Sequence, residues 1–200
     1  KGASLLTLAS LAILFLILFA FSLRADYFFD QGFLHYLAYL INEHGFVPYK
    51  DLFDFNMPVG YLFHVVMGKV FGYSATAFRV VHVLWLVALF IVTWLIMKPL
   101  GKTVALASCL IFSVLYLTFG NELLLERDVI GIFPIAIALL LSTRINRYQH
   151  KKLYYFVIGG CMALAVLTKP YLGIGLPALI GYLSVDQELK SKGFLHLFKK

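Results

Sequence analysis

The chain has 200 residues, of which 62% are hydrophobic and 14% are charged, and its mean hydropathy is +0.88. This balance excludes an ordinary soluble domain and favours a protein whose apolar surface is covered by a lipid bilayer. The net charge of +7 is distributed as in a membrane-protein topology, which argues against a nucleic-acid partner.

The first predicted element is a membrane-spanning helix at residues 3–23. Its apolar run is long enough to cross a bilayer, which needs about 20 residues. The run is longer than a typical signal-peptide core, and no clear cleavage pattern precedes Arg24, so we interpret it as an uncleaved anchor. Because the chain begins at Lys1 and stops at Lys200 without an obvious ending, we expect residues 1–200 to be the amino-terminal part of one transmembrane domain in a longer protein.

Residues 24–75 are predicted to form an outer loop that is rich in polar and aromatic side chains. An amphipathic helix on the membrane surface is predicted to start at Asp30, its N-cap, and to stop at Gly45. A second short helix is predicted at about 59–71, ending at Gly72. The apolar stripe of the first helix consists of Phe33, Leu34, Leu37, Leu40 and Ile41. The histidines interpreted as polar-face residues are His35, His44 and His64.

Further apolar segments predict the remaining spans, which are 76–97, 103–120, 123–143, 153–168 and 170–185. The last two are short and are separated by Thr168-Lys169-Pro170, so they form either a tight hairpin or one interrupted unit. Pro134 is tolerable inside a membrane helix. Cys109 and Cys161 lie in apolar runs and are interpreted as small hydrophobic residues. The predicted fold is an all-α, polytopic transmembrane bundle with two interfacial helices in the first outer loop.

The charges predict the orientation of the chain. With the N-terminus inside, the acids on the inner face are only Asp186 and Glu188, and the other eight of the ten lie outside. Acids contribute little to orientation, so this asymmetry suggests a catalytic or ligand-binding site on the outer face. Eleven of the seventeen basic residues lie inside, as the positive-inside rule expects: Lys1, Lys98, Lys102, Arg144, Arg147, Lys151, Lys152, Lys190, Lys192, Lys199 and Lys200.

Two acidic groups are candidate catalytic residues. Asp26 and Asp30 follow the first span, and Asp30 is either a general base for a substrate hydroxyl or only a helix cap. Glu126 and Asp128 enter the fourth span from the outer side, where ionisable groups are usually solvated. Carboxylates from the two segments would be able to share a substrate or a metal, but no spacing identifies a metal.

Three basic residues are candidates for holding a phosphate at the membrane surface. They are Lys169, at the turn between the last two spans, Arg127, inside the second acidic group, and Arg79. The alternative for each is that its side chain simply reaches the aqueous interface.

Several motifs, taken together, resemble GT-C glycosyltransferases, in particular the protein O-mannosyltransferase and aminoarabinose-transferase-like branch. They are Asp30-Gln31-Gly32, HGFVPYKDLFDFNMPVGYLF, VFGYSATAFR, ERDVIGIF and ALAVLTKPYLGIGLP. The resemblance covers nearly all of this chain, but only the amino-terminal half of a typical member. Many relatives have Asp-Glu where this chain has Asp30-Gln31, and Pro-Pro where it has Met57-Pro58.

The resemblance implies a multi-pass enzyme of the bacterial inner membrane that moves a sugar from a polyprenyl-phosphate carrier to a lipid, glycan or protein acceptor, with inversion, on the non-cytoplasmic face. The first-loop base maps to Asp30. The second acidic site maps to Asp128, with Glu126 close by, and the lysine near the lipid phosphate maps to Lys169. Gln31 replaces a glutamate that would be a possible metal ligand. The question whether Asp30 and Asp128 bind a divalent metal therefore stays open, and no cofactor is certain.

Two other classes of function remain open on the sequence. One is a transporter or flippase for a lipid-linked sugar, and the other is a non-catalytic membrane subunit. Ion-coupled transport usually leaves ionisable groups or broken helices near the bilayer midplane. The spans 3–23, 103–120 and 153–168 contain none until their ends, which weakens the transporter interpretation.

Overall fold

A computed structural model gives the fold and describes residues 2–52, 57–145 and 150–184. These parts of the chain are helical and contain no β-strand, which confirms the predicted all-α class. Several residues on which the sequence predictions rest lie outside the described residues. They are Lys1, Arg147, Asp186, Glu188 and Lys190–Lys200, all predicted to be inside, and Asp54 of the predicted outer loop. The helices are α1 (Gly2–Ser22), α2 (Phe29–His44), α3 (Pro58–Phe71), α4 (Ala75–Met97), α5 (Lys102–Thr118), α6 (Arg127–Arg144), α7 (Lys151–Val166) and α8 (Leu176–Ser184).

Two of the described helical segments, Leu5–Ser22 and Ala75–Leu100, are long and apolar enough to cross a membrane. The shorter apolar segments are Pro58–Phe71, Lys102–Thr118 and Pro170–Ser184. Only 6% of the residues in the α1 segment are buried inside the protein, so its apolar side chains stay at least partly exposed along nearly the whole helix. An apolar surface of this extent is stable in lipid and not in water, which agrees with a membrane protein.

The helices pack in a chain of neighbours. α5 packs against both α1 and α4, α6 packs against α4 and α7, and α2 lies on α3. The main core joins α4 and α5 to the segment before α6, and its buried residues include Phe78, Leu89, Tyr116, Leu124 and Leu125. This core therefore holds the N-terminal end of α6 in place, where the second acidic group lies.

The start of α2 differs from the prediction. The helix begins at Phe29 with Phe28 at the N-cap, so Asp30 is inside the first turn and is not the cap. The side-chain oxygen of Gln31 accepts a hydrogen bond from the Phe28 N–H at 2.9 Å, which satisfies a free donor at the helix start. The carboxylate of Asp30 does not cap the helix and is therefore free to bind another side chain. The predicted end of α2 at Gly45 is confirmed, with φ at 68°.

The two histidines His35 and His64 were wrongly predicted as polar-face residues, because both are buried. His35 stacks on Tyr27, with 4.6 Å between ring centroids, and it lies 5.7 Å from the ring of His64. Four residues of the predicted apolar stripe of α2 pack in a core with α3, whereas the fifth, Phe33, is exposed. The loops around Tyr27 and Tyr73 cover the adjacent face of α2 as well. The buried surface of α2 is therefore wider than the stripe in its sequence. His44 is exposed, as predicted.

The later segments also have shifted boundaries. α6 begins at Arg127 and not near residue 123, because a 3₁₀ turn at Gly120–Glu122 and a left-handed residue, Leu125, precede it. After α7 the backbone is extended at Lys169, and a 3₁₀ turn at Pro170–Gly175 leads into the nine-residue α8. Lys169 therefore stands at a break between two helical segments.

Orientation in the membrane is open to a labelling test. Glu43, near the end of α2, and His150, before α7, are both exposed, and charge distribution predicts opposite sides. Cysteine at position 43 should react with an impermeant maleimide in intact cells, and cysteine at position 150 should react only after lysis. The unmodified chain, with buried Cys109 and half-buried Cys161, gives the background. Labelling of position 150 alone would reverse the topology.

Candidate active site

The position of the second acidic group depends on the segment just before α6. Leu125 has φ at 55°, a left-handed conformation that costs a non-glycine residue about 1–2 kcal/mol. Leu124 and Leu125 are both fully buried, and burial of such side chains is worth about 1.5–3 kcal/mol each, which outweighs the backbone cost. The Leu125 N–H also donates to the Tyr116 hydroxyl at 3.2 Å. The core therefore fixes the direction in which α6 leaves this segment.

Glu126 is the N-cap of α6. Its Oε2 accepts a hydrogen bond from the Asp128 N–H at 2.8 Å, and its second carboxylate oxygen remains available for other contacts. Arg127 and Asp128 consequently project from the first turn of the helix in fixed directions. Carboxylates at this helix end are also favoured by the helix dipole.

Five of the predicted site residues form one ion cluster. The Arg127 Nη2 lies 2.5 Å from the Asp30 Oδ2, and the Lys169 Nζ lies 2.7 Å from the Asp128 Oδ2. The Glu126 Oε1 lies 3.4 Å from the Arg127 Nε and 3.5 Å from the Lys169 Nζ, so it lies between the two cations. Three separate parts of the chain, α2, the start of α6 and the end of α7, meet here.

Burial within the cluster is uneven. The side chains of Glu126, Arg127 and Lys169 are 11%, 16% and 22% exposed, whereas Asp30 and Asp128 are 44% and 35% exposed. Ion pairs that are partly withdrawn from water interact more strongly than surface pairs do, so removing one member leaves an uncompensated charge. The two aspartates form the accessible edge of the cluster.

One oxygen at this edge has no partner. The Asp128 Oδ1 is buried and accepts no hydrogen bond from the residues that the structure describes. Leaving a buried polar atom unpaired costs about 1–3 kcal/mol, so such an atom marks a place where a hydroxyl or a water would bind. The cluster therefore offers an accepting oxygen to a ligand as well as two cations.

Asp26 and Arg79 are not brought into the cluster. Asp26 is exposed, and its Oδ1 accepts a hydrogen bond from the N–H of its neighbour Tyr27 at 2.8 Å. The Arg79 Nε donates to the Ala25 carbonyl at 2.7 Å and thereby ties α4 to the segment after α1. In the described part of the chain, neither side chain forms an ion pair with the five clustered residues.

The sequence prediction missed the structural part that Gln31 plays. This residue is 1% exposed, and its Nε2 donates to the carbonyls of Asn121 and Glu122 at 2.8 and 3.2 Å. A glutamine three residues after an N-cap position is a recognised helix-start signal, but nothing in the sequence indicates its partners 90 residues away. Gln31 ties α2 to the turn that precedes α6.

The described residues do not fit a divalent metal between Asp30 and Asp128. Each carboxylate already has a basic side chain, Arg127 or Lys169, where a metal would lie. Among residues 2–52, 57–145 and 150–184, no group of three histidine, cysteine or acidic side chains has the geometry to hold a metal ion. We therefore derive no step through a metal.

An apolar groove of about 640 Å³ adjoins the cluster. It lies between α3, α4, α6 and α7, and Trp85 and Pro134 line its middle. Its lining also includes Thr168, which precedes Lys169, and Ile130, two residues after Asp128. The Val59 N–H of α3 donates to the Leu167 carbonyl at 3.2 Å, which closes this side of the groove near the cluster. An apolar chain in the groove would therefore place its polar end close to the two cations.

Comparison with known proteins identifies a family. A sequence model of the dolichyl-phosphate-mannose-protein mannosyltransferase family matches residues 56–198, which is more than half of the chain. The matched part contains Glu126, Arg127, Asp128 and Lys169, whereas Asp30 lies before it. No curated protein and no solved structure is significantly similar to the chain.

The buried histidines predict how stability depends on pH. Burial lowers the pKa of His64 to about 3, with further lowering by His35 and Arg127, and burial lowers the pKa of His35 to about 4. Histidines in the unfolded chain titrate near 6.5, so between pH 6.5 and 4 the unfolded state binds more protons than the folded state. The histidine contribution is therefore fully present above pH 6.5 and is lost as the pH falls below it.

Thermal unfolding in detergent should show this loss as a fall in Tm between pH 6.5 and 5. His64→Leu has a similar volume and removes one titrating group, so its Tm should depend less steeply on pH over the same interval. An equal slope in the variant and the parent would contradict the assignment to His64.

Proposed function

This chain belongs to the dolichyl-phosphate-mannose-protein mannosyltransferase family, and we propose that it moves a sugar from a polyprenyl-phosphate carrier to an acceptor hydroxyl. The family match and the apolar helices make it a membrane glycosyltransferase of the GT-C type. The proposed reaction takes place on the non-cytoplasmic face of a bacterial inner membrane, and the acceptor is a lipid, a glycan or a protein. The observation that supports the proposal is an apolar groove whose lining residues Ile130 and Thr168 lie close in sequence to the ion cluster, together with the two cations and the accessible aspartate of that cluster.

A lipid-phosphate donor needs both the apolar groove and the two cations. Its prenyl chain requires an apolar surface that is open to the bilayer, and the groove supplies one between α3, α4, α6 and α7. Its phosphate requires cations at the membrane surface, and Lys169 directly follows Thr168 of the groove lining, while Arg127 lies in the same ion cluster as Lys169. Each cation is already held by carboxylates, so its position is set before the donor binds.

Asp30 is suited to act on the acceptor. Its Oδ2 is occupied by Arg127, but its Oδ1 has no hydrogen-bond partner among the described residues, and the side chain is 44% exposed. A hydroxyl that binds at Oδ1 is therefore within reach of a general base. The acceptor oxygen forms a bond to the anomeric carbon as the bond from that carbon to the phosphate oxygen breaks, and the hydroxyl proton passes to Asp30. Attack opposite the phosphate inverts the anomeric centre.

The Asp30–Arg127 pair couples the two ends of this reaction. When Asp30 accepts the proton, it becomes neutral and its attraction to Arg127 falls. At the same moment the donor phosphodiester, with one negative charge, becomes a phosphate monoester with two. The guanidinium released from Asp30 is then free to stabilise the charge that the leaving group gains. Lys169, which is held by Asp128 and Glu126, acts on the same phosphate from the other side.

Asp30→Asn tests the proposed base. The variant keeps the shape of the side chain, and because Asp30 is not the helix cap, α2 should form normally. Transfer in the full-length enzyme should fall by roughly a hundredfold or more, since an amide cannot accept the proton. The measurement is turnover with a polyprenyl-phosphate sugar donor in membranes. Asp26→Asn, at an exposed position outside the cluster, is the matched control and should have a milder effect. Near-normal turnover in Asp30→Asn would place the base elsewhere.

Lys169→Ala tests the phosphate contact. The variant should weaken apparent donor affinity, and Lys169→Arg should retain part of it because the charge is kept. Lys152→Ala, which removes an exposed lysine of α7 at a predicted inner position, controls for the change in net charge. Apparent donor KM in the full-length enzyme is the readout. An unchanged donor KM in Lys169→Ala would contradict the assignment of Lys169 to the donor phosphate.

A further inference from the structure

Gln31 forms an unusually complete set of hydrogen bonds for a side chain beside the site. Its Oε1 accepts from the Phe28 N–H at 2.9 Å, and its Nε2 donates to the carbonyls of Asn121 and Glu122 at 2.8 and 3.2 Å. The residue is 1% exposed, so water does not compete for these contacts. One buried amide thus joins the start of α2 to the turn before α6.

The surroundings of this amide require both a donor and an acceptor. Two backbone carbonyls face the nitrogen, which has two hydrogens, and one backbone N–H faces the oxygen. A glutamate carboxylate at position 31 would set a negative oxygen against two carbonyl oxygens. A protonated glutamate would have a single hydrogen for the same two acceptors. Either form leaves a buried polar group unpaired, which pushes the two segments apart.

The contact lies next to the Asp30–Arg127 pair on α2 and shortly before it in sequence on the other segment. On α2, Gln31 directly follows Asp30. On the other segment, Asn121 and Glu122 begin the turn that passes through the buried Leu125 and ends at Arg127. The amide contact and the ion pair therefore connect the same two parts of the chain. Loss of the amide contact would weaken this connection and give Asp30 more freedom to move.

We propose that Gln31 is a positioning residue for the transfer reaction, which holds Asp30 at the distance from Arg127 that the reaction requires. The inference rests on the proposed function, because it assigns Gln31 a part in the step that Asp30 carries out. Gln31 touches neither substrate nor reacting atoms, and it acts through α2. A displacement of about 1 Å at a reacting group can cost roughly a hundredfold in rate, so a docking contact of this kind has a measurable effect on kcat.

The test uses the full-length enzyme in membranes with a polyprenyl-phosphate sugar donor. Gln31→Glu is nearly isosteric, and Gln31→Met keeps the length without hydrogen bonds or charge. Both should lower kcat by about tenfold or more, with donor KM changed by no more than about twofold. Part of the kcat of Gln31→Glu should return as the pH falls, because protonation restores one donor, whereas Gln31→Met should show no such recovery.

A double-mutant cycle tests whether Gln31 acts through Asp30. In the Asp30→Asn background, Gln31→Glu should reduce the residual turnover by no more than about twofold, because the group that it positions is gone. An equal loss in both backgrounds, or parent-like kcat in Gln31→Glu and Gln31→Met, would overturn the inference. Normal turnover in Asp30→Asn alone would overturn the proposed function instead.

A distance measurement separates docking from activity. Spin labels at Tyr36, exposed on α2, and at Phe119, exposed beside the turn, report the spacing of the two segments in a background without Cys109 and Cys161. The distance distribution should broaden in Gln31→Glu and Gln31→Met and stay narrow in the parent. A distribution as narrow as that of the parent in both variants would also overturn the inference.

Discussion

Arg127 imposes the constraint on which the arrangement around the ion cluster depends. Its guanidinium is always charged and only 16% of its side chain is exposed, so it must be paired. Glu126 and Asp30 supply the compensating charges, one from the same helix start and one from α2. The aliphatic part of Arg127 lies over Gly60 of α3, where an added Cβ would stand 3.4 Å from its Cδ. A charged group packed this closely draws α2 and α3 to the start of α6.

Helix-end electrostatics explain why the ionisable residues of the site gather in one place. Glu126 and Asp128 stand at the N-terminal end of α6, where a helix favours negative charge, and Asp30 lies in the first turn of α2. Arg127, a cation at the same helix end, is not explained by the dipole and is held there by its carboxylate partners. Lys169 follows the C-terminal end of α7, where a helix favours positive charge. Carboxylates at the N-terminal end of α6 thus meet a cation, Lys169, that the C-terminal end of α7 stabilises. Local rules of helix termination supply most of the cluster's charge pattern.

Those local rules were readable in the sequence, and the contacts across the fold were not. Apolar runs predicted the helices, and Gly45 and Gly72 predicted two of their ends, because both signals act over a few residues. The cap assigned to Asp30 was wrong because the helix starts earlier, with Phe28 at the N-cap position and Gln31 accepting a hydrogen bond from its N–H. The left-handed Leu125 had no sequence signal, since only the surrounding core offsets its backbone cost.

The buried histidines and the Gln31 contact also depend on contacts across the fold, which the sequence pattern of one helix does not reveal. His35 is next to an apolar stripe on α2, but the rings that cover it come from Tyr27 and Tyr73 in the flanking loops. The partners of Gln31 lie 90 residues further along the chain. Periodicity describes one helix at a time, so it cannot assign a face that a distant loop covers.

In the proposed reaction, the charge balance of the cluster links donor binding to proton transfer. Three carboxylates and two cations give a formal charge of −1 before a substrate binds. A donor phosphodiester adds another negative charge, so its attraction to Lys169 and Arg127 is opposed by the carboxylates that hold them. Proton transfer to Asp30 removes one of these opposing charges at the stage when the phosphate gains its second. The same ion pairs that position the cations thus limit ground-state binding of the phosphate and favour the charge distribution that develops during transfer.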